Sequence, residues 1–239
     1  MATVKDRFDF INIVMPVYNE KDNIGNTINE INYKIKSAHN IIIIYDFEED
    51  NTLPPIRDLM VKQDNIFLLK NKYGRGVLNA IKTGFESINE GAVLVMMADL
   101  SDDVSVVDEM FAKLNHGNDI VCGSRYMKGG KQIGGPVFKK LMSRLAGISL
   151  HFLAGLPTRD ATNSFKMYSA DVLQNIEIES SGGFELGMEI VIKSHKRGYK
   201  ITEVPSIWRD REAGESNFKL WAWLPKYLKW YFYAIIKRS

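Results

Sequence analysis

The chain has 239 residues, 45% hydrophobic and 25% charged, with 31 Lys and Arg against 29 Asp and Glu for a formal net charge of +2. These proportions exclude a fibrous or disordered chain and fit a globular protein with a full core, built as one large domain or at most two small ones. The lone cysteine, Cys122, cannot form an internal disulfide, and beside Ile120 and Val121 it is expected in the core of a protein from a reducing compartment. The start MATVKDRFDF lacks the basic and apolar pattern of a secretory signal, and no window approaches ~18 uninterrupted apolar residues, so neither export nor a membrane span is expected.

Ile11 to Val17 is a β-rich apolar run, followed by Ile24, Ile28, Ile31 and Ile35 at the spacing of one helix face, with Asp22 or Asn23 as N-cap. Ile41 to Tyr45 and Ile66 to Leu69 read as further strands. Val77, Ala80, Ile81, Gly84, Phe85 and Ile88 keep helical spacing, and Ala92 to Met97 is a fourth strand. Continuous apolar strands alternating with helices predict a largely parallel sheet covered on both faces. In the second half a helix is expected over Val137 to Leu153, a short strand over Phe165 to Tyr168, a helix from Phe184 to Lys196 closed by Gly198, and a strand over Tyr199 to Val204.

Ligands of such sheets bind beyond the carboxyl ends of the strands. There the sequence places Asn19 and Glu20, then Asp46 with Glu48, Glu49 and Asp50, then Asn71 to Gly76, then Asp99, Asp102 and Asp103. Asp46 and Asp99 stand out because each ends an apolar strand, where a charge is costly without a partner. Glu48, Glu49 and Asp50 also read as loop solubility. Gly74-Arg75-Gly76 is a fragment of a dinucleotide fingerprint without its third glycine, and reads as a tight turn into a helix. His39, His116, His151 and His195 lack ligand spacing, so no zinc site is expected.

Charge is unevenly spread. No acid lies between Asp119 and Asp160, where Arg125, Lys128, Lys131, Lys139, Lys140, Arg144 and Arg159 fall, and none follows Lys219. Such segments read as an anion-facing surface or as ordinary solvated charge. The stretch Leu220 to Tyr233 carries three of the four tryptophans with Lys226 and Lys229, and Pro225 is expected in the first turn of its helix. This is the composition of an interfacial anchor, and equally of a terminal helix packed on the core. Leu145 to Leu156 is a second apolar stretch, too short to span, expected as core or as the wall of a lipid groove.

Taken in order, Pro16-Val17-Tyr18-Asn19-Glu20, Asp46 with Asp50-Asn51-Thr52, Asn71-Lys72-Tyr73-Gly74-Arg75-Gly76, Ala98-Asp99-Leu100, Gly123-Ser124-Arg125-Tyr126, Asp160 to Lys166 and Arg211 to Ser216 resemble the family-2 glycosyltransferases, within them the polyprenyl-phosphate sugar synthases. The resemblance covers nearly the whole chain. It implies an α/β fold of the GT-A type with a mostly parallel central sheet, flanking helices and an amphipathic C-terminal helix. The chain is then one domain over 1–239, with a nucleotide-sugar half at 1–122, an acceptor half at 123–218 and the helix at 219–239.

The activity implied is inverting transfer from a nucleotide diphosphate sugar to a polyprenyl phosphate, by a cytoplasmic protein associated peripherally with the membrane. Donor contacts carry over to Pro16, Tyr18, Glu20, Tyr45, Asp46, Lys72, Gly76, Ala98, Asp99 and Arg211, with Asp99 and Arg211 as catalytic residues. Acceptor contacts carry over to Arg125, Lys139, Ser143, Ser216 and Lys219. A divalent cation, Mg²⁺ or Mn²⁺, would sit on Asp99 and Asp102, although Met97 replaces the first aspartate of the family's metal triplet and a thioether is a poor ligand for either ion. A hydroxyl acceptor, on a saccharide or lipid-linked glycan, would instead need a carboxylate base, for which Asp102, Asp160 and Glu189 are candidates. A nucleotide-sugar-binding protein without catalysis is the third reading, motivated by Met97. Nucleic acid is not expected as a partner, since the basic residues accompany aromatic apolar surface without a nucleic-acid motif.

Overall fold

The computed structural model describes residues 6–210 and 220–236, with backbone alone for Leu220 to Ala222. Its first half is strand–helix alternation: β1 (Ile11–Pro16), α1 (Lys21–Lys34), β2 (His39–Tyr45), α2 (Leu53–Met60), β3 (Ile66–Lys70), α3 (Val77–Glu86) and β4 (Ala92–Val95). After a 3-10 turn come α4 (Val107–Asn115), β5 (Ile120–Ser124), β6 (Lys131–Ile133), α5 (Val137–Leu153), β7 (Lys166–Ser169), α6 (Ala170–Asn175), α7 (Leu186–Lys196), β8 (Ile201–Pro205), β9 (Ile207–Arg209) and α8 (Leu220–Ile236).

Seven strands form the main sheet in the order β3-β2-β1-β4-β7-β5-β8, and β6 pairs with β9 in a separate ribbon. All pairings are parallel except those of β7, which runs antiparallel to both β4 and β5. This reversal shapes the site. Because β7 starts where β4 ends, the turn leading into β7 joins the loop leaving β4 at the same edge of the sheet.

Alternation along the strands divides the core in two. Ile11, Ile13 and Met15 of β1 pack with Ile24, Ile28, Val107 and Met110 on the face of α1 and α4, whereas Val14 joins Ile81, Phe85, Ile190 and Trp230 on the face of α3, α7 and α8. Helices lie close where side chains are absent. A Cβ on Gly147 of α5 would sit 2.1 Å from the Arg159 carbonyl oxygen, so that helix rests directly on the backbone before Asp160. Cys122 is fully buried, as its neighbours predict, and burial pushes its thiol up to about 11.

Several expectations shift. Helix α1 starts before Asp22: Glu20 holds the N-cap position without a side-chain cap bond, and Asn23 donates to Glu20 Oε2 at 2.8 Å. The fourth strand stops at Val95 because the backbone turns away and Met97 N–H bonds the Asp102 carboxylate at 3.2 Å. Pro225 lies one turn inside α8 rather than in its first turn. Helix α2 opens on Leu53-Pro54-Pro55, whose prolines hide a helix start in what reads as loop. Helix α4 carries Val107, Met110, Phe111 and Leu114 at helical spacing, a signal that was present in the sequence.

Candidate active site

The carboxyl ends of β1, β2 and β4, the turn before β7, and helices α5 and α8 enclose one cleft of about 1020 Å³. Pro16, Tyr18, Glu20, Asp46, Gly76, Asp99, Asp102, Arg125, Lys139 and Ser143 all line it. The structure thus brings together ten of the residues singled out from sequence. It leaves three outside the walls: Tyr45 turns its hydroxyl to Glu48 at 3.4 Å, Lys72 pairs with Glu86 at 3.7 Å, and the Ala98 carbonyl accepts from buried Thr27 Oγ1 at 3.0 Å. Arg211, Ser216 and Lys219 lie outside the described residues.

At one end, Asp46 is held by a donor on each oxygen, Asn71 Nδ2 at 2.7 Å and Gly76 N–H at 2.9 Å. Gly76 has φ +125°, a conformation open to glycine that aims its N–H at the carboxylate as α3 begins. Tyr18 meets the Phe47 ring edge-on at 5.8 Å, and the Arg75 guanidinium lies over that ring at 4.5 Å. Arg75 lines the cleft; its place in Gly74-Arg75-Gly76 was visible in the sequence, but no role followed from it. Asp50 is not solubilising: it is 1% exposed and takes the Asn19 N–H on both oxygens at 3.2 Å and the Thr52 N–H at 2.8 Å, tying the β1 and β2 loops together.

Beyond β4 the chain turns sharply at Leu100, φ +59°, so that Asp99, Ser101 and Asp102 all reach the cleft. Asp99 Oδ1 accepts from Ser101 N–H at 3.1 Å. Burial, followed by the neighbouring Asp99 charge, pushes Asp102 up to about 7. Two buried like-charged carboxylates facing one cavity fit a hard cation that takes its remaining oxygens from a diphosphate, the usual arrangement for Mg²⁺. Among the described residues no group of three or more His, Cys, Asp or Glu is gathered for a metal, so an all-protein cage does not fit. Asp103 faces elsewhere: its Oδ2 accepts from Ile207 N–H at 3.3 Å, while Arg209 N–H bonds the Ser101 carbonyl at 3.0 Å, stitching this loop to β9.

The middle of the cleft is a polar knot. Arg125 Nε and a terminal nitrogen grip Asp160 Oδ2 and Oδ1 at 2.7 and 2.9 Å, and the same nitrogen donates to Ser143 Oγ at 3.0 Å and Thr162 Oγ1 at 3.2 Å. Burial raises the Asp160 carboxyl, but Arg125 outweighs it and the group lies below the ordinary carboxylate value. The Arg125 charge is therefore largely matched within the protein, and Lys139 of α5 also borders the cleft. Of the three candidate bases only Asp102 lines the cleft. Asp160 is committed to Arg125, and Glu189 accepts from the Glu179 and Ser180 N–H groups and pairs with Lys193 at 2.7 Å.

The far end is apolar, walled by Met142, Leu145 and Ala146 of α5 and by Leu224, Tyr227 and Leu228 of α8. Helix α8 packs on the core along one side and is exposed along the other. Trp230, 1% exposed, packs inward with Nε1 donating to Ser180 Oγ at 3.2 Å, while Leu228, Phe232 and Ile236 stand exposed on the other side. Phe138, Leu141, Phe152 and Leu153 of α5 are exposed as well.

Comparison with known proteins agrees with this geometry. The chain is 28% identical over 214 residues to the dolichol-phosphate mannosyltransferase of Pyrococcus furiosus, covering 87% of this chain and 59% of that protein. It is 26% identical over 211 residues to the polyprenol monophosphomannose synthase of Mycolicibacterium smegmatis (86% and 79% covered), and 26% identical over 209 residues to the undecaprenyl-phosphate mannosyltransferase of Micrococcus luteus (85% of each). Among solved structures, glucosyl-3-phosphoglycerate synthase of Mycobacterium tuberculosis, crystallised with Mn²⁺, UDP and its product, superposes with a TM-score of 0.69 at 16% identity, over 97% of this chain and 81% of that one. That likeness establishes the GT-A fold. Residues 12–177 match the family described as glycosyl transferase family 2, and the chain belongs to that family.

Proposed function

We propose that this chain transfers a sugar, with inversion, from a nucleotide diphosphate sugar to a polyprenyl phosphate at the cytoplasmic face of a membrane. The observation that carries the reading is the continuity of the cleft: a carboxylate-lined end for a nucleotide and cation runs through Lys139 and Ser143 into an apolar trough between α5 and α8. The names of the three relatives above support a polyprenyl phosphate acceptor and a mannosyl donor. In this reading residues 1–122 hold the donor, 123–218 hold the acceptor, and both halves share the one cleft.

Asp46, held by Asn71 and Gly76, accepts from a ring N–H of the base, while Tyr18, Pro16 and Glu20 frame the nucleoside. Asp99 and Asp102 would hold Mg²⁺ or Mn²⁺, which when bound neutralises charge on the departing diphosphate. The acceptor phosphate, with a second pKa of about 6, is largely dianionic near neutral pH and is its own nucleophile. Its oxygen forms the new bond to the anomeric carbon as the bond to the diphosphate breaks, so no general base is required. Lys139 and Ser143 place that phosphate; the family resemblance gives Arg211 a donor and catalytic role and Ser216 and Lys219 acceptor roles.

The test is transfer of label from a panel of GDP- and UDP-sugars to polyprenyl phosphate, scored by partition into organic solvent with and without a chelator. Label is expected in the organic phase, and the chelator is expected to suppress it. Replacing Lys139 and Ser143 together by Ala should reduce transfer on the order of 10²-fold with donor affinity retained, because a phosphate loses a charge-assisted contact and a hydroxyl donor. Donor binding without organic label would overturn the acceptor assignment.

Membrane contact has its own readout. No helix among the described residues is long and apolar enough to cross a membrane. The exposed apolar residues of α5 and α8, set beside Lys139, Lys140, Arg144 and Lys229, instead suit a helix pair lying in the headgroup layer. The triple substitution Phe138→Ser, Leu141→Ser, Phe232→Ser is expected to weaken co-sedimentation with anionic vesicles by about tenfold or more, given ~1.5–3 kcal/mol for each fully buried side chain of this size. Unchanged co-sedimentation would refute this face.

A further inference from the structure

Lys166 is fully buried, yet nothing in the reaction above uses it. It is the first residue of β7 and pairs in register with Val95 of β4 and Cys122 of β5, which places it directly beneath the reaction edge of the sheet. Its Nζ donates to the Ala161 carbonyl at 3.2 Å. Helix α7 begins over it at Gly187, where a Cβ would lie 3.3 Å from Nζ, so the helix approaches closely at a residue without a side chain. A core position between an aliphatic strand and a thiol would be filled more cheaply by Met or Leu, since an ammonium with few partners is costly to bury.

What the ammonium touches explains its presence. Ala161 opens the turn that brings Thr162, Asn163 and Ser164 to the cleft wall. That turn is held from three sides: Asp160 Oδ1 takes the Asn163 N–H at 3.2 Å, Asn163 Nδ2 donates to the Gly123 carbonyl at 2.9 Å, and Lys166 Nζ donates to the Ala161 carbonyl. Burial pushes the Lys166 ammonium down from its ordinary value, and its charge ranks behind burial and the Arg125 contacts among the influences on Asp160, the carboxylate that aligns Arg125 with Ser143 and Thr162.

We propose that Lys166 is a positioning residue for the acceptor phosphate, acting from below the cleft by tethering the Ala161 carbonyl and supplying a second buried positive charge behind the Arg125–Asp160 pair. This rests on the assignment of an acceptor phosphate to Lys139 and Ser143. The side chain does not itself reach the cleft, so it acts through the turn.

The experiment compares Lys166→Met, Lys166→Gln and Lys166→Arg by hydrogen exchange at residues 161–164 and by KM for polyprenyl phosphate and for donor sugar. With Met, exchange in the turn and the acceptor KM should each rise about tenfold, the donor KM should move far less, and the melting temperature should stay near that of the parent. Arg should recover most of both effects, and Gln, which keeps a donor without charge, should recover the exchange more than the KM. Unaltered exchange and acceptor KM in the Met protein would overturn the proposal, as would a parallel loss of both KM values with a collapsed melting temperature that Arg does not rescue. Should the parent protein move no sugar to polyprenyl phosphate, the acceptor reading fails on its own, and protection of the turn still decides whether Lys166 tethers it.

Discussion

Asp99→Asn is expected to reduce sugar transfer on the order of 10³-fold while the protein stays folded, because several kcal/mol of transition-state charge stabilisation depend on that carboxylate and each ~1.4 kcal/mol is a decade in rate. The amide preserves the shape of the side chain and its Oδ1 can still accept from Ser101 N–H, so the loop leaving β4 keeps its geometry. What is removed is charge, at a residue 6% exposed on the wall of the cleft. With Met97 in place of a first carboxylate, Asp99 and Asp102 are the two acids of this loop that line the cleft, and among the described residues no third joins them in a group. Titration with Mn²⁺ should accordingly show weaker binding for Asp99→Asn and for Asp102→Asn. Asp103→Asn serves as the neighbouring control, because Asp103 bonds Ile207 rather than facing the cavity. Transfer by Asp99→Asn within about tenfold of the parent, with cation affinity unaltered, would exclude Asp99 from a catalytic role.

How far these features could be read from the sequence depended on how local their causes are. Continuous apolar runs such as Ile41 to Tyr45 and the spacing of Ile24, Ile28 and Ile31 report strand and helix directly, because burial of those side chains decides the local conformation. Asp46, directly after β2, was legible as a carboxylate ending an apolar strand, whereas Asp99 lies beyond the end of β4 and reaches the cleft in the loop that turns at Leu100. The carry-over from the family was less discriminating between wall and support. Tyr45 and Lys72 follow motif positions, yet Glu48 and Glu86 draw their polar ends away from the cleft. Asp50 looked like loop charge because its partner Asn19, 31 positions away, becomes a neighbour only when two loops meet. The same long-range cause hid the pairing of Arg125 with Asp160, 35 positions apart, and the burial of Lys166, which follows from the antiparallel entry of β7 between β4 and β5. Helix α8 was undecided in sequence because Trp and Lys serve a core and an interface alike, and in the structure one side packs on the core while the other is exposed.

Arg125→Ala is expected to cost about 3–5 kcal/mol of folding stability at neutral pH, the usual consequence of removing one partner from a buried ion pair. Asp160 is fully buried and the Arg125 side chain is one-tenth exposed, so water cannot replace the guanidinium. Three of the Arg125 contacts fall on Asp160, the backbone N–H at 3.0 Å among them, and two more reach Ser143 and Thr162. Lysine cannot reproduce that fork, so Arg125→Lys should recover only part of the loss. The pH dependence fixes the origin of the effect. In the parent the Asp160 carboxyl lies below its ordinary value, so the stability it contributes is complete above the unfolded value of about 3.9 and is lost as pH falls through the lowered one. Without Arg125 the raising effect of burial prevails, the folded state gains affinity for a proton, and the variant becomes relatively more stable as the solution is acidified. The gap between parent and Arg125→Ala, measured by urea unfolding at pH 7 and again near pH 5, should therefore narrow in acid, and adding Asp160→Asn to the variant should recover stability at pH 7 by removing the stranded charge. A gap that is independent of pH and unchanged by Asp160→Asn would mean that Arg125 stabilises by packing alone, and the charge-matched knot at the centre of the cleft would lose its support.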